Sequence, residues 1–171
     1  MVRFLHSGDW QLGMTRHFLG DERQALYTEA RFEALRTIGR IAREQACEFV
    51  VCCGDVFEFN EVDARTVARA CDALATIPVP VWLLPGNHDP LNSTAVFRSR
   101  TFLAHKPARV NVIVNEEPIA VRPGVELVGA PWTSKRPLVD LVARALAPLG
   151  APQGGVRIAV AHGCVDTLSP D

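Results

Sequence analysis

Nowhere does the sequence hold an apolar run approaching the ~20 residues that a membrane-spanning helix needs, so no such span is expected in its 171 residues. The opening stretch is broken by His6 and Asp9 too early to form the apolar core of a signal peptide. Net charge is nearly absent: 18 basic residues stand against 19 acidic ones, for a balance of −1. That excludes an overall electrostatic grip on nucleic acid or membrane, and leaves only a local one. Lysine is scarce, with Lys106 and Lys135 the two among the 18 cations. Pro90 to Asn115 is one modest basic stretch, carrying Arg98, Arg100, Lys106 and Arg109 and no acid. The five cysteines form no zinc-finger spacing. Cys52 and Cys53 are adjacent, and neighbours on a strand point to opposite faces, so they should not bond each other. All five read as reduced thiols of a cytoplasmic protein. There is no internal repeat and no low-complexity tract.

What is present is an ordinary globular composition, 48% apolar and 22% charged. The length favours one domain over 1–171, large enough to bury roughly 70% of its unfolded surface. Short apolar runs alternate with segments of helical period. Strands are expected at Arg3–Ser7, Glu48–Cys53, Pro80–Leu84, Val110–Val114, Val125–Val128 and Arg157–Ala161. Helices are expected over Gln24–Ala46, around Val67–Ile77, over Ser93–His105 and around Leu138–Leu146, the first opened by a capping box of Asp21 and Gln24. Strand alternating with helix is the α/β pattern, with right-handed crossovers and helices covering the sheet.

In such folds ligands bind beyond the carboxyl ends of the strands. Gly8-Asp9-Trp10-Gln11, Gly54-Asp55-Val56-Phe57, Gly86-Asn87-His88-Asp89 and His162-Gly163 all follow expected strands. Singly each is weak, since an Asp after a strand is most often a turn residue or a helix cap. Together, Asp9, Asp55, Asn87, His88 and His162 would crowd carboxylates and neutral donors into one crevice. Like charges repel there unless a cation lies between them. Oxygen and imidazole ligands without thiolate suit Mn²⁺, Mg²⁺ or Fe²⁺ better than a structural zinc. Trp10, Trp82 and Trp132 read as core or crevice-wall residues, and Phe97, Phe102 and Leu103 as packing residues.

These four segments, in order and spacing, resemble the calcineurin-like metallophosphoesterases, and the Asp9-Trp10-x-Leu12-Gly13 opening is similar to that of SbcD-type nucleases of double-strand-break repair. The resemblance implies central β-sheets flanked by helices, with the metal site at the carboxyl ends of the strands. It implies two divalent ions, manganese foremost and Mg²⁺ or Fe²⁺ as alternatives. Asp9 would bind the first ion, Asp55 would bridge both, and Asn87 and His162 would bind the second. His88 would face the scissile phosphate and protonate the leaving oxygen, and Asp89 would orient the His88 ring. Arg16 and His17, which follow the first motif, are candidates for substrate phosphate. The nuclease branch further implies DNA as substrate, an SMC-like ATPase as partner, and a homodimer contact on the helices after the second and third motifs.

Two positions depart from the family pattern. Gln11 stands where the opening Asp-x-His has its histidine, which implies a weaker first site or a contact through water. The later Gly-x-His motif does not follow His162, so the chain reads as the first part of a longer phosphoesterase domain. Two other readings remain beside the nuclease. One is a phosphoesterase for a small nucleotide or phosphoprotein; the other is a non-catalytic scaffold with an incomplete metal site.

Overall fold

The computed structural model describes residues 1–152 and 155–163. Strand β1 (Phe4–Ser7) leads into helix α1 (Asp21–Glu44), then β2 (Phe49–Cys53), α2 (Ala64–Ala75) and β3 (Val81–Leu84). A 3₁₀ turn at Val96–Arg98, α3 (Arg100–His105) and β4 (Val110–Val112) complete the first sheet, ordered β1-β2-β3-β4 with every pair parallel. β5 (Ile119–Arg122), β6 (Val125–Gly129) and β7 (Val156–Val160) form a second sheet in that order, with α4 (Leu141–Leu146) between its last two strands. β5 runs antiparallel to β6, and β7 parallel to it.

The layers follow from which faces are apolar. α1, α2 and α3 cover one face of the first sheet, with Phe32, Leu35, Val67, Leu74 and Phe102 packed against Val50, Cys52, Val81 and Leu83. The opposite face meets the second sheet through Phe49, Val51, Leu84, Leu127 and Val160. α4 then covers the far side of β6 with Leu141 and Ala145 against Val128. The first four residues of β2 are buried, as a strand sandwiched between helices and a second sheet requires. The result is an α/β fold in which parallel strands are flanked by helices, as the residue pattern led one to expect. Among the described residues, no helix is long and apolar enough to cross a membrane.

Three local expectations are corrected. α1 begins at Asp21, and its N-cap is Gly20 with no side-chain cap, so the capping box does not form. Gln24 instead accepts the Arg16 N–H (2.9 Å) and donates to the Met14 carbonyl (3.2 Å), tying the loop after the first motif to the helix. The expected single helix over Ser93–His105 is a 3₁₀ turn and a six-residue α-helix divided at Ser99, whose hydroxyl caps the second piece by accepting the Phe102 N–H. β5 falls outside the expected strands. Its residues Ile119-Ala120-Val121-Arg122 follow acids and a proline, and its pairing to β6 is what defines it. Cys47, Cys52, Cys53 and Cys71 are free, whereas Cys164 lies outside the described residues.

Candidate metal centre

Four loops leave β1, β2, β3 and β7 at their carboxyl ends, and main-chain bonds hold the first two side by side. The Asp9 N–H donates to the Gly54 carbonyl (3.1 Å), Gln11 N–H to Asp55 (2.9 Å) and Leu12 N–H to Val56 (2.9 Å). Within this ladder Asp9, Gln11 and Asp55 stand at positive φ (55°, 43° and 54°). Such backbone is uncommon for residues with a Cβ and costs on the order of 1 kcal/mol each, so the surrounding bonds must hold it.

The side chains converge. One ligand atom each from Asp9, Asp55 and His162 lies within 4.8 Å of the others. His162 Nε2 sits 2.8 Å from Asn87 Oδ1 and 3.4 Å from Asp55 Oδ2, while its Nδ1 is 2.9 Å from the Cys53 carbonyl oxygen. Asp9, Asp55, Asn87 and His162 are thus brought together as the sequence led one to expect. The close approach explains two glycines. A Cβ on Gly54 would fall 2.3 Å from the His162 ring, and one on Gly86 would fall 2.1 Å from Asp55 Oδ1.

This donor set fits a divalent cation. A carbonyl only accepts, so the bond to Cys53 places the Nδ1 proton of His162 on that side. Nε2 then faces Asn87 Oδ1 and Asp55 Oδ2, an arrangement that a proton or a divalent cation between them would satisfy. Without a cation, the Asp55 carboxylate raises the His162 imidazole above its ordinary value, against the opposing effect of burial. Burial works to raise the Asp55 carboxyl, yet bonds from His162 and the His88 main chain outweigh it and hold the group below the usual carboxylate range. Oxygen and imidazole donors are ordinary ligands of divalent cations.

His88 lies at the edge of this cluster. Its main-chain N–H donates to Asp55 Oδ1 (3.0 Å), and its Nε2 is 3.9 Å from Asp55 Oδ2. The expected orienting contact from Asp89 is replaced. Both Asp89 oxygens accept main-chain N–H groups, from Phe57 (2.9 Å) and Gly86 (2.8 Å), and the side chain is fully buried. Burial pushes the Asp89 carboxyl up to about 6. The His88 ring rests instead on Glu58, whose carbonyl oxygen is 2.9 Å from Nδ1 and whose carboxylate is 3.8 Å from the same atom. Glu58 follows Asp55 by three residues in one loop; that spacing was the available signal. Asn60 fastens the two loops by donating to the Pro90 carbonyl (2.9 Å) and accepting the Val96 N–H (2.9 Å).

The remaining candidates add no side-chain hydrogen bond to the centre among the described residues. Gln11 is half-buried and makes no side-chain hydrogen bond among the described residues. Arg16 and His17 lie on the exposed loop before α1, where the His17 ring packs edge-on against Phe18 at 5.7 Å. Neither hydrogen-bonds to a residue of the centre among the described residues.

A family model described as calcineurin-like phosphoesterase matches residues 2–163. No curated protein matches the sequence. Among solved structures, TT1561 of Thermus thermophilus is similar at 18% identity and a TM-score of 0.51, covering 77% of this chain and 50% of its own. A dimetal phosphatase from Danio rerio is similar at 13% identity and a TM-score of 0.51, covering 85% of this chain and 50% of its own. These likenesses concern the fold, and the chain spans about half the length of both proteins. With the family model matching nearly end to end and its strand-end residues gathered in one crevice, the chain belongs to the calcineurin-like phosphoesterase family.

Proposed function

We propose that the protein is a metal-dependent phosphodiesterase whose substrate is DNA, acting as an exo- or endonuclease in repair beside an SMC-like ATPase. The observation that supports the hydrolytic reading is the convergence of Asp9, Asp55 and His162 within 4.8 Å, with His88 on the adjoining loop. Support for the nuclease branch is the Asp9-Trp10-x-Leu12-Gly13 opening. Asp9, Asp55, Asn87 and His162 would hold two divalent ions, manganese foremost, and Gln11 would contribute to the first directly or through water. When bound, the pair would polarise the phosphodiester and lower the pKa of water for in-line attack.

The protein's own groups do the rest. His88 holds a proton at Nε2, on the Asp55 side of its ring, and passes it to the departing oxygen, while the Glu58 carbonyl keeps the ring turned by accepting from Nδ1. Asp89 fixes the loop from beneath through Gly86 and Phe57. Arg16 and His17, on the exposed loop after the first motif, would contact flanking phosphates.

A small-nucleotide phosphoesterase is the second reading, favoured by the near-zero net charge, because tight duplex binding usually shows a larger cationic face. Manganese-dependent hydrolysis of bis(p-nitrophenyl) phosphate, followed by parallel assays on duplex DNA and on mononucleotide esters, tests both. Cleavage of DNA supports the first reading. Cleavage of the small esters alone replaces it with the second, and no metal-dependent hydrolysis of any of them removes both.

A further inference from the structure

The two loops that supply Asn87 and His162 come from different sheets, and one residue outside the expected ligand set touches both. Trp132 follows β6 by three residues and lies half-buried beside the crevice. Its main-chain N–H donates to the Pro85 carbonyl (3.1 Å), and its carbonyl accepts the Leu91 N–H (2.7 Å). Those partners bracket the whole segment Gly86-Asn87-His88-Asp89-Pro90. Its indole Nε1–H donates to the His162 carbonyl (2.9 Å), and its ring stands edge-on to the His162 imidazole at 6.1 Å and 73°. The backbone on one side and the side chain on the other therefore set how far apart the two loops stand.

The bulk of an indole is not demanded by the core here. Trp132 packs only on the rim of the small cluster under α4, while the main cluster is filled by residues from the first sheet and its helices. A crevice wall could be built from any apolar side chain. The N–H that reaches the His162 carbonyl is the feature an ordinary wall residue lacks. His162 is then fixed twice, through Nδ1 on Cys53 and through its carbonyl on Trp132, which leaves Nε2 aimed at Asn87 Oδ1.

We propose that Trp132 is a positioning residue that sets the spacing between Asn87 and His162, and through it the affinity of the metal site those two side chains share. This rests on the metal-binding reading above. Partners that orient metal ligands typically change affinity by 10–100-fold when removed.

Trp132→Phe keeps an aromatic ring and deletes the N–H. Manganese titration by calorimetry should show binding weakened about tenfold or more, with the melting temperature of the chelator-treated protein unchanged. Replacement of Trp132 by 3-benzothienylalanine, in which sulfur takes the place of the indole N–H at equal volume, should give the same loss and guards against a packing defect in the phenylalanine variant. Wild-type affinity in the benzothienyl protein overturns the positioning role. His162→Ala separates this from the underlying reading: if that variant binds manganese as the wild type does, the metal site itself is wrong, whatever Trp132 does.

Discussion

Nδ1 of His88 lies 2.9 Å from the main-chain carbonyl oxygen of Glu58, thirty residues away in sequence, and this contact decides which nitrogen faces the crevice. A carbonyl accepts only, so Nδ1 donates and Nε2 stays outside that bond, the nitrogen that the proposed proton transfer would use. The contact joins the loop after β2 to the loop after β3, and Asn60 repeats the join a few residues further on.

Because His88 reaches the centre with its main-chain N–H and holds its ring at the edge, His88→Ala should retain manganese binding while turnover falls by ~10²–10⁴-fold, the usual contribution of a positioned acid–base group. Calorimetry and phosphodiester hydrolysis on the same preparation check it. Loss of a metal site in the variant would make His88 a ligand.

Asp55 faces His162 with one oxygen and accepts the His88 N–H with the other. Asp55→Asn keeps an acceptor for that N–H and removes the charge. The variant should fold, lose phosphodiesterase activity and bind fewer manganese ions per chain, as measured by equilibrium dialysis. Undiminished turnover would remove the two-metal reading.

Asp89 tests the assignment of a buried carboxylate to structure. Its two oxygens serve two main-chain donors. Asp89→Asn replaces one acceptor with an NH₂ that faces an N–H, and leaving a buried donor unpaired costs ~1–3 kcal/mol. Urea unfolding of the metal-free protein should show a loss of that size. A variant as stable as the wild type would mean that those two amides find other partners.

Asp63 caps α2, accepting the Thr66 N–H at 2.9 Å, and bonds from the Thr66 hydroxyl and main chain hold its carboxyl below its ordinary value. A depressed folded value stabilises the protein above the unfolded value, and the contribution is lost as pH falls through the folded one. Asp63→Ala should therefore cost ~1 kcal/mol near neutral pH. The gap between the two proteins should narrow in acid, and thermal melts across that range would read it. A gap that widens in acid would contradict the sign.

Much of the arrangement was legible because it is local. β2 and β3 carry continuous apolar runs, α1 and α2 carry apolar residues at helical spacing, and each chemistry-bearing loop begins where a strand stops. Parallel strands with helical crossovers then put the first three of those ends on one edge, so the meeting of Asp9, Asp55 and Asn87 followed from order along the chain, whereas His162 arrives from the second sheet packed against the first.

Contacts between loops were decided only in three dimensions. Asp89 is adjacent to His88, and adjacency suggested that it would orient the ring. The backbone turns the two side chains apart, sending Asp89 down onto Gly86 and Phe57 and His88 across onto Glu58. β5 exists because β6 pairs with it, and Trp132 matters because two loops from different sheets pass on either side of it. Periodicity and strand ends are properties of neighbours in sequence, and they fix which elements form. Which acceptor a given N–H finds depends on groups thirty to over a hundred residues away, and packing alone brings those within reach.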